Sequence, residues 1–83
     1  MMQLYEVQSG EIRGYFKAVS PDAALFKAIN RTQRVVGSKK VPMPGLLARM
    51  RVVNEEFKPI EITEEKPEGW IYASPLDVIK KYA

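Results

Sequence analysis

Hydrophobic and polar residues alternate through the first part of the chain, in two runs that a short polar segment separates. A period of two is typical of a β-strand that buries one face. The segment QLYEVQSGEIRGYFKAV (residues 3–19) therefore predicts a β-hairpin. One face of the hairpin carries Tyr5, Val7, Ile12, Phe16 and Ala18, and the other carries Leu4, Glu6, Arg13, Tyr15 and Lys17.

The turn of the hairpin sets the predicted pairing of its strands. Ser9 and Gly10 form an acceptable two-residue turn. With that turn Glu6 lies opposite Arg13, and the attraction between their charges favours this register.

Ser20 and Ser74 each precede a proline, and both pairs predict the start of a helix. A serine hydroxyl can accept a hydrogen bond from an N–H group of the first turn, and proline suits the first helical position. Apolar spacing predicts that the first helix ends at about Gln33. The second is a short C-terminal helix with Leu76 and Ile79 facing the core.

The rest of the chain predicts a connection and up to three more strands. Glycines and prolines interrupt residues 34–45, which predicts a flexible connection. Residues 45–54 alternate as a strand, residues 57–63 predict an edge strand because of Pro59, and residues 70–73 predict a short strand. Leu46, Ala48, Met50 and Val52 lie on one face of the first of these strands, and Leu47, Arg49, Arg51 and Val53 on the other.

These elements predict an α+β fold. A small antiparallel sheet of three to five strands packs on one main helix and a short C-terminal helix, in the order ββαββ(β)α. The length of 83 residues indicates a single domain over residues 1–83.

The composition limits the expected cellular location of the protein and the kinds of catalytic site that it can form. No run of apolar residues approaches the 20 or so that span a membrane, so we expect a cytoplasmic protein without a membrane partner. The chain has no cysteine and no histidine, so it lacks the thiol nucleophile and the usual general base. We therefore expect no enzymatic activity. The acidic residues between Glu55 and Glu65 lack the spacing of an EF-hand loop and have Lys58 among them, so we also expect no metal site and no cofactor.

Charge is distributed unevenly along the chain. Residues 1–54 carry a net charge of +6 and residues 55–83 a net charge of −3. The basic part either binds a polyanion or is neutralised by the acidic part folding against it, and the sequence leaves both interpretations open.

One sheet face predicts a nucleic-acid-binding surface. If the helices cover the face of Ile12 and Met50, the opposite face presents basic side chains interleaved with an aromatic one, which suits phosphates and a stacked base. The candidate nucleic-acid-binding residues are Arg13, Tyr15, Lys17, Lys39, Lys40, Arg49 and Arg51. Reversing the charges of Arg49 and Arg51 is expected to abolish binding while leaving the fold intact.

The same face also permits a different function. Apolar side chains among the basic ones suit a protein–protein interface or self-assembly into a homo-oligomer. The candidate residues for this alternative are Leu4, Tyr15, Leu47 and Val53. The sequence does not distinguish a nucleic-acid partner from a protein partner.

Overall fold

The computed structural model describes residues 1–35 and 43–82, and it confirms the α+β fold with the element order ββαββα. The strands are β1 (Gln3–Ser9), β2 (Ile12–Ala18), β3 (Ala48–Val53) and β4 (Ile71–Ala73), and the helices are α1 (Pro21–Val35) and α2 (Pro75–Tyr82). The four strands form one antiparallel sheet in the order β2-β1-β3-β4. Neither helix is long and apolar enough to cross a bilayer, in the part of the chain that the structure describes.

The helices cover one face of the sheet, as the alternation predicts, except that Leu46 precedes β3 and is 95% exposed instead of facing the core. Every buried apolar side chain of β1 and β2 comes from the predicted inner face, and β3 adds three more. Leu25 of α1 belongs to the same core cluster and is fully buried, together with Val7 and Met50. Burial of the apolar side chains between the helices and the sheet is the main contribution to the stability of the fold.

The predicted register of the hairpin is wrong by two residues. The turn is formed by Gly10 and Glu11, and Ser9 pairs with Ile12. Gly10 adopts a φ of +57°, which glycine tolerates better than other residues. A shift of two residues keeps each side chain on its predicted face, because the period of a strand is two.

The shifted register gives Glu6 a different partner. Glu6 lies opposite Tyr15 of β2 and Arg51 of β3, whereas Arg13 lies opposite Gln8. The predicted pair of Glu6 and Arg13 is therefore not formed.

Both predicted serine caps are present. The Ser20 hydroxyl accepts a hydrogen bond from the Ala23 N–H at 3.1 Å, and the Ser74 hydroxyl accepts one from the Asp77 N–H at 3.5 Å. The inward orientation predicted for Leu76 is wrong, because Leu76 is 60% exposed and Val78 is buried in its place. The stripe of α2 that packs against the core includes Val78 and Ile79, and Leu76 is turned toward solvent.

Residues 57–63 do not form the predicted strand. This segment makes one isolated bridge, between Val53 and Pro59, and the Ile60 N–H donates to the Val52 carbonyl at 3.3 Å. Proline has no N–H to continue a ladder, and Phe57 has a positive φ that breaks the extended backbone just before it. The segment therefore touches the edge of β3 beyond the end of β4.

Most of the predicted connection at residues 34–45 lies outside the described part. Residues 34 and 35 belong to α1, and residues 43–45 contact the hairpin turn. The Glu11 N–H donates to the Met43 carbonyl at 3.0 Å, and the Gly45 N–H donates to the Ser9 hydroxyl at 3.0 Å.

The buried Tyr5 makes stability sensitive to alkaline pH. Burial raises the pKa of Tyr5 above its usual value of 10.0, and the negative charge of the nearby Glu61 carboxylate is a second, smaller cause in the same direction. Its hydroxyl donates to Gln3 Oε1 at 3.0 Å. A raised folded-state pKa gives stability that is present below pH 10 and lost as the pH rises through the folded-state value. Urea unfolding from pH 8 to 11 should therefore show a smaller alkaline loss in Tyr5→Phe than in the wild type.

Candidate functional site

The sheet face that the helices leave uncovered carries three rows of side chains, which we call the open face. The first row contains Lys17, Leu4 and Val53, the second contains Tyr15, Glu6 and Arg51, and the third contains Arg13, Gln8, Arg49 and Tyr72. The structure thus brings together five of the seven predicted nucleic-acid-binding residues. The other two, Lys39 and Lys40, lie outside the described residues.

Arg51 is used within the fold. Its Nε donates to Glu6 Oε1 at 2.8 Å, and its Nη1 donates to the Glu68 carbonyl at 3.1 Å. The side chains of Arg51 and Glu6 are only 19% and 13% exposed. Because the Glu6 carboxylate neutralises the charge of the Arg51 guanidinium in this partly buried pair, Arg51 is a weak candidate for contacting an external anion.

Arg49 is held in place without losing its charge. Its Nε and Nη2 donate to Gln8 Oε1 at 3.0 and 2.7 Å, and Gln8 Nε2 in turn donates to Glu6 Oε2 at 3.1 Å. An amide does not neutralise a guanidinium, and no carboxylate of the described residues forms an ion pair with Arg49. Arg49 is therefore a positioned cation with donors left for a ligand.

Trp70 stacks against both arginines of β3. The centre of its ring lies 4.2 Å from Cζ of Arg49 and 4.0 Å from Cζ of Arg51. Trp70 is 7% exposed and lies outside the helix-side core, so it is buried on the open face. Such cation–π contacts restrict both guanidinium groups.

Residues between β3 and β4 cover part of the open face. Val53 is 3% exposed, and the Phe57 ring packs on Tyr15 with 4.4 Å between their centres. Of the residues predicted for a protein interface, Val53 is therefore buried by its own chain. Leu4 is half-buried, Tyr15 is 43% exposed and Leu47 is 65% exposed.

The third row forms a shallow groove at the hairpin end of the open face. The groove has a volume of about 280 Å³. It is lined by Gln8, Ser9, Gly10, Arg13, Leu47, Ala48, Arg49 and Tyr72. Arg13 is exposed, and its side chain makes no hydrogen bond or ion pair with any residue that the structure describes.

Tyr72 belongs to the groove but not to the predicted site. It lies opposite Arg49 and is 63% exposed. The sequence does indicate the orientation of Tyr72. Ile71 and Ala73 are apolar or small and face inward, so the alternation places the tyrosine between them on the open face. The sequence does not predict that β4 pairs with β3, which is what brings Tyr72 beside Arg49.

The open face differs from a metal centre. Among the residues that the structure describes, no three acidic side chains converge as a cation site requires.

Comparisons with protein-family models, with curated proteins and with solved structures found no match.

Proposed function

We propose that the protein is a non-enzymatic module that binds nucleic acid through the open face. The observation that carries this proposal is the groove, where Arg13, Arg49 and Tyr72 lie in one row across the sheet. Two guanidinium groups without a carboxylate partner among the described residues suit phosphates, and an exposed tyrosine suits a base. The sequence supports a non-enzymatic role because it has neither histidine nor cysteine.

Charge reversal at Arg13 is the clean test of this proposal. Arg13→Glu should weaken binding about 10- to 100-fold, because it removes a charge-assisted contact and adds repulsion. Its thermal midpoint should stay within about 2 °C of the wild type, because the side chain is exposed and without a partner in the described structure. Fluorescence anisotropy with labelled oligonucleotides measures the first quantity, and circular dichroism the second.

Lys80→Glu provides the matched control. It makes the same change in net charge on α2, which packs on α1 in the helical layer. Equal losses in the two variants would show that only the total charge matters, and this result would contradict a site on the open face.

A protein partner is the second candidate, and one observation favours it. Leu46 and Leu47 are 95% and 65% exposed, and Leu47 lines the groove. Sedimentation velocity over a 100-fold range of concentration distinguishes the candidates. A dimer that Leu47→Asp dissociates, together with no nucleic-acid binding, would replace the first proposal by a self-associating protein.

A further inference from the structure

Phe57 has a backbone conformation that aromatic residues rarely adopt. Its φ is +64°, and the other positive φ angles among the described residues belong to Gly10 and Gly69. A bulky side chain in this region strains the backbone. Asn54 holds the turn, since its Oδ1 accepts hydrogen bonds from the N–H groups of Glu56 and Lys58 at 2.9 and 3.0 Å.

Burial of the ring does not explain this strain. Phe57 is 51% exposed and lies outside the helix-side core. Its ring contacts Tyr15 at a centre-to-centre distance of 4.4 Å and an interplanar angle of 47°. The strained turn therefore places an aromatic ring on the open face, with half of its surface still in solvent.

The Tyr15/Phe57 pair is the second exposed aromatic position on the open face. Tyr15 lies on β2 between the exposed cations Arg13 and Lys17, neither of which has an ion-pair partner among the described residues. Tyr72 lies on β4, three strands away and one row along. Strand spacing puts these two positions about 16 Å apart, so one base cannot contact both.

We propose that the Tyr15/Phe57 pair is a base-stacking site and that the ligand is a single-stranded nucleic acid. One base stacks on this pair and another on Tyr72, while Arg13 and Lys17 contact the phosphates near the pair. A duplex keeps its bases paired and stacked inside, so it cannot offer them to two separated aromatic positions. This inference rests on the proposed function and adds its ligand class and a new contact residue.

Phe57→Gly separates a binding role from a packing role. Glycine adopts this φ without strain, so the thermal midpoint should stay the same or rise. Loss of the stacking surface should weaken binding of a labelled single-stranded 12-mer about 5- to 100-fold. Phe57→Tyr keeps an aromatic ring at the same backbone position, and it should bind within about twofold of the wild type.

The oligonucleotide set distinguishes this inference from the proposal beneath it. The wild type should bind the 12-mer at least about tenfold more tightly than its duplex. Equal affinity for both, or unchanged affinity in Phe57→Gly, would overturn the inference and leave the proposed function standing. A fall of several degrees in the thermal midpoint of Phe57→Gly would assign the ring to packing and also overturn it. No binding of either form by the wild type would remove both proposals.

Discussion

Replacing Gly10 by alanine is expected to lower the free energy of unfolding by about 2–4 kcal/mol, through backbone strain and crowding together. A Cβ on Gly10 would lie 2.6 Å from the Gly45 nitrogen and 2.7 Å from the Met43 oxygen. These are backbone atoms, so no side chain can rotate away. The φ of +57° adds a second penalty for any residue with a Cβ.

Two variants separate these causes in urea unfolding. Gly10→Asn tolerates the positive φ better but keeps the crowding Cβ, so it should lose most of the same stability. Gly14→Ala is the milder control, because its Cβ would meet the outer atoms of the Phe16 ring, and a ring can shift. A Gly10→Ala protein within 0.5 kcal/mol of the wild type would show that residues 43–45 do not pack on the hairpin turn.

Arg51→Glu is expected to lower the free energy of unfolding by about 2–3 kcal/mol, somewhat less than for a fully buried pair. It sets a second carboxylate beside Glu6 and removes the donor to the Glu68 carbonyl. It also removes a cation from the Trp70 ring. Charge reversal at Arg51 should therefore destabilise the fold, in contrast to what the sequence alone predicts.

Arg49→Glu is the informative comparison for Arg51→Glu. Both substitutions remove a cation from the Trp70 ring. The direct partner of Arg49 is the neutral Gln8 amide, whereas that of Arg51 is the Glu6 carboxylate, so Arg49→Glu sets no like charge against its partner and its stability loss should be the smaller. Urea unfolding measures both variants. An Arg51→Glu protein as stable as Arg49→Glu would contradict the structural role of the Glu6/Arg51 pair.

Local patterns predict the faces of the strands and the starts of the helices, because both depend on neighbouring residues. The alternation around Val7 and Met50 identifies the inner face, and Ser20 and Ser74 cap the helices that follow them. These features need no knowledge of which strands are adjacent.

The features that the sequence does not predict depend on contacts between distant segments. The predicted hairpin turn at residues 9–10 and the observed turn at residues 10–11 are both two residues long, so local sequence does not decide between them. Only the observed turn packs against residues 43–45, which are distant in the sequence. Glu6 meets Arg51, 45 residues away, because β1 lies between β2 and β3. Tyr72 joins the groove for the same kind of reason, since β4 pairs with β3. Period and propensity carry no information about strand order.

The most direct test of binding at the open face is a salt titration of the affinity for a labelled single-stranded 12-mer. Each phosphate contact on a single strand contributes about −0.7 to the slope of log affinity against log salt. Contacts from Arg13, Lys17 and Arg49 predict a slope of about −2, and Arg13→Ala should make it shallower by about 0.7. No binding at low salt, or a slope that Arg13→Ala leaves unchanged, would contradict nucleic-acid binding at this face.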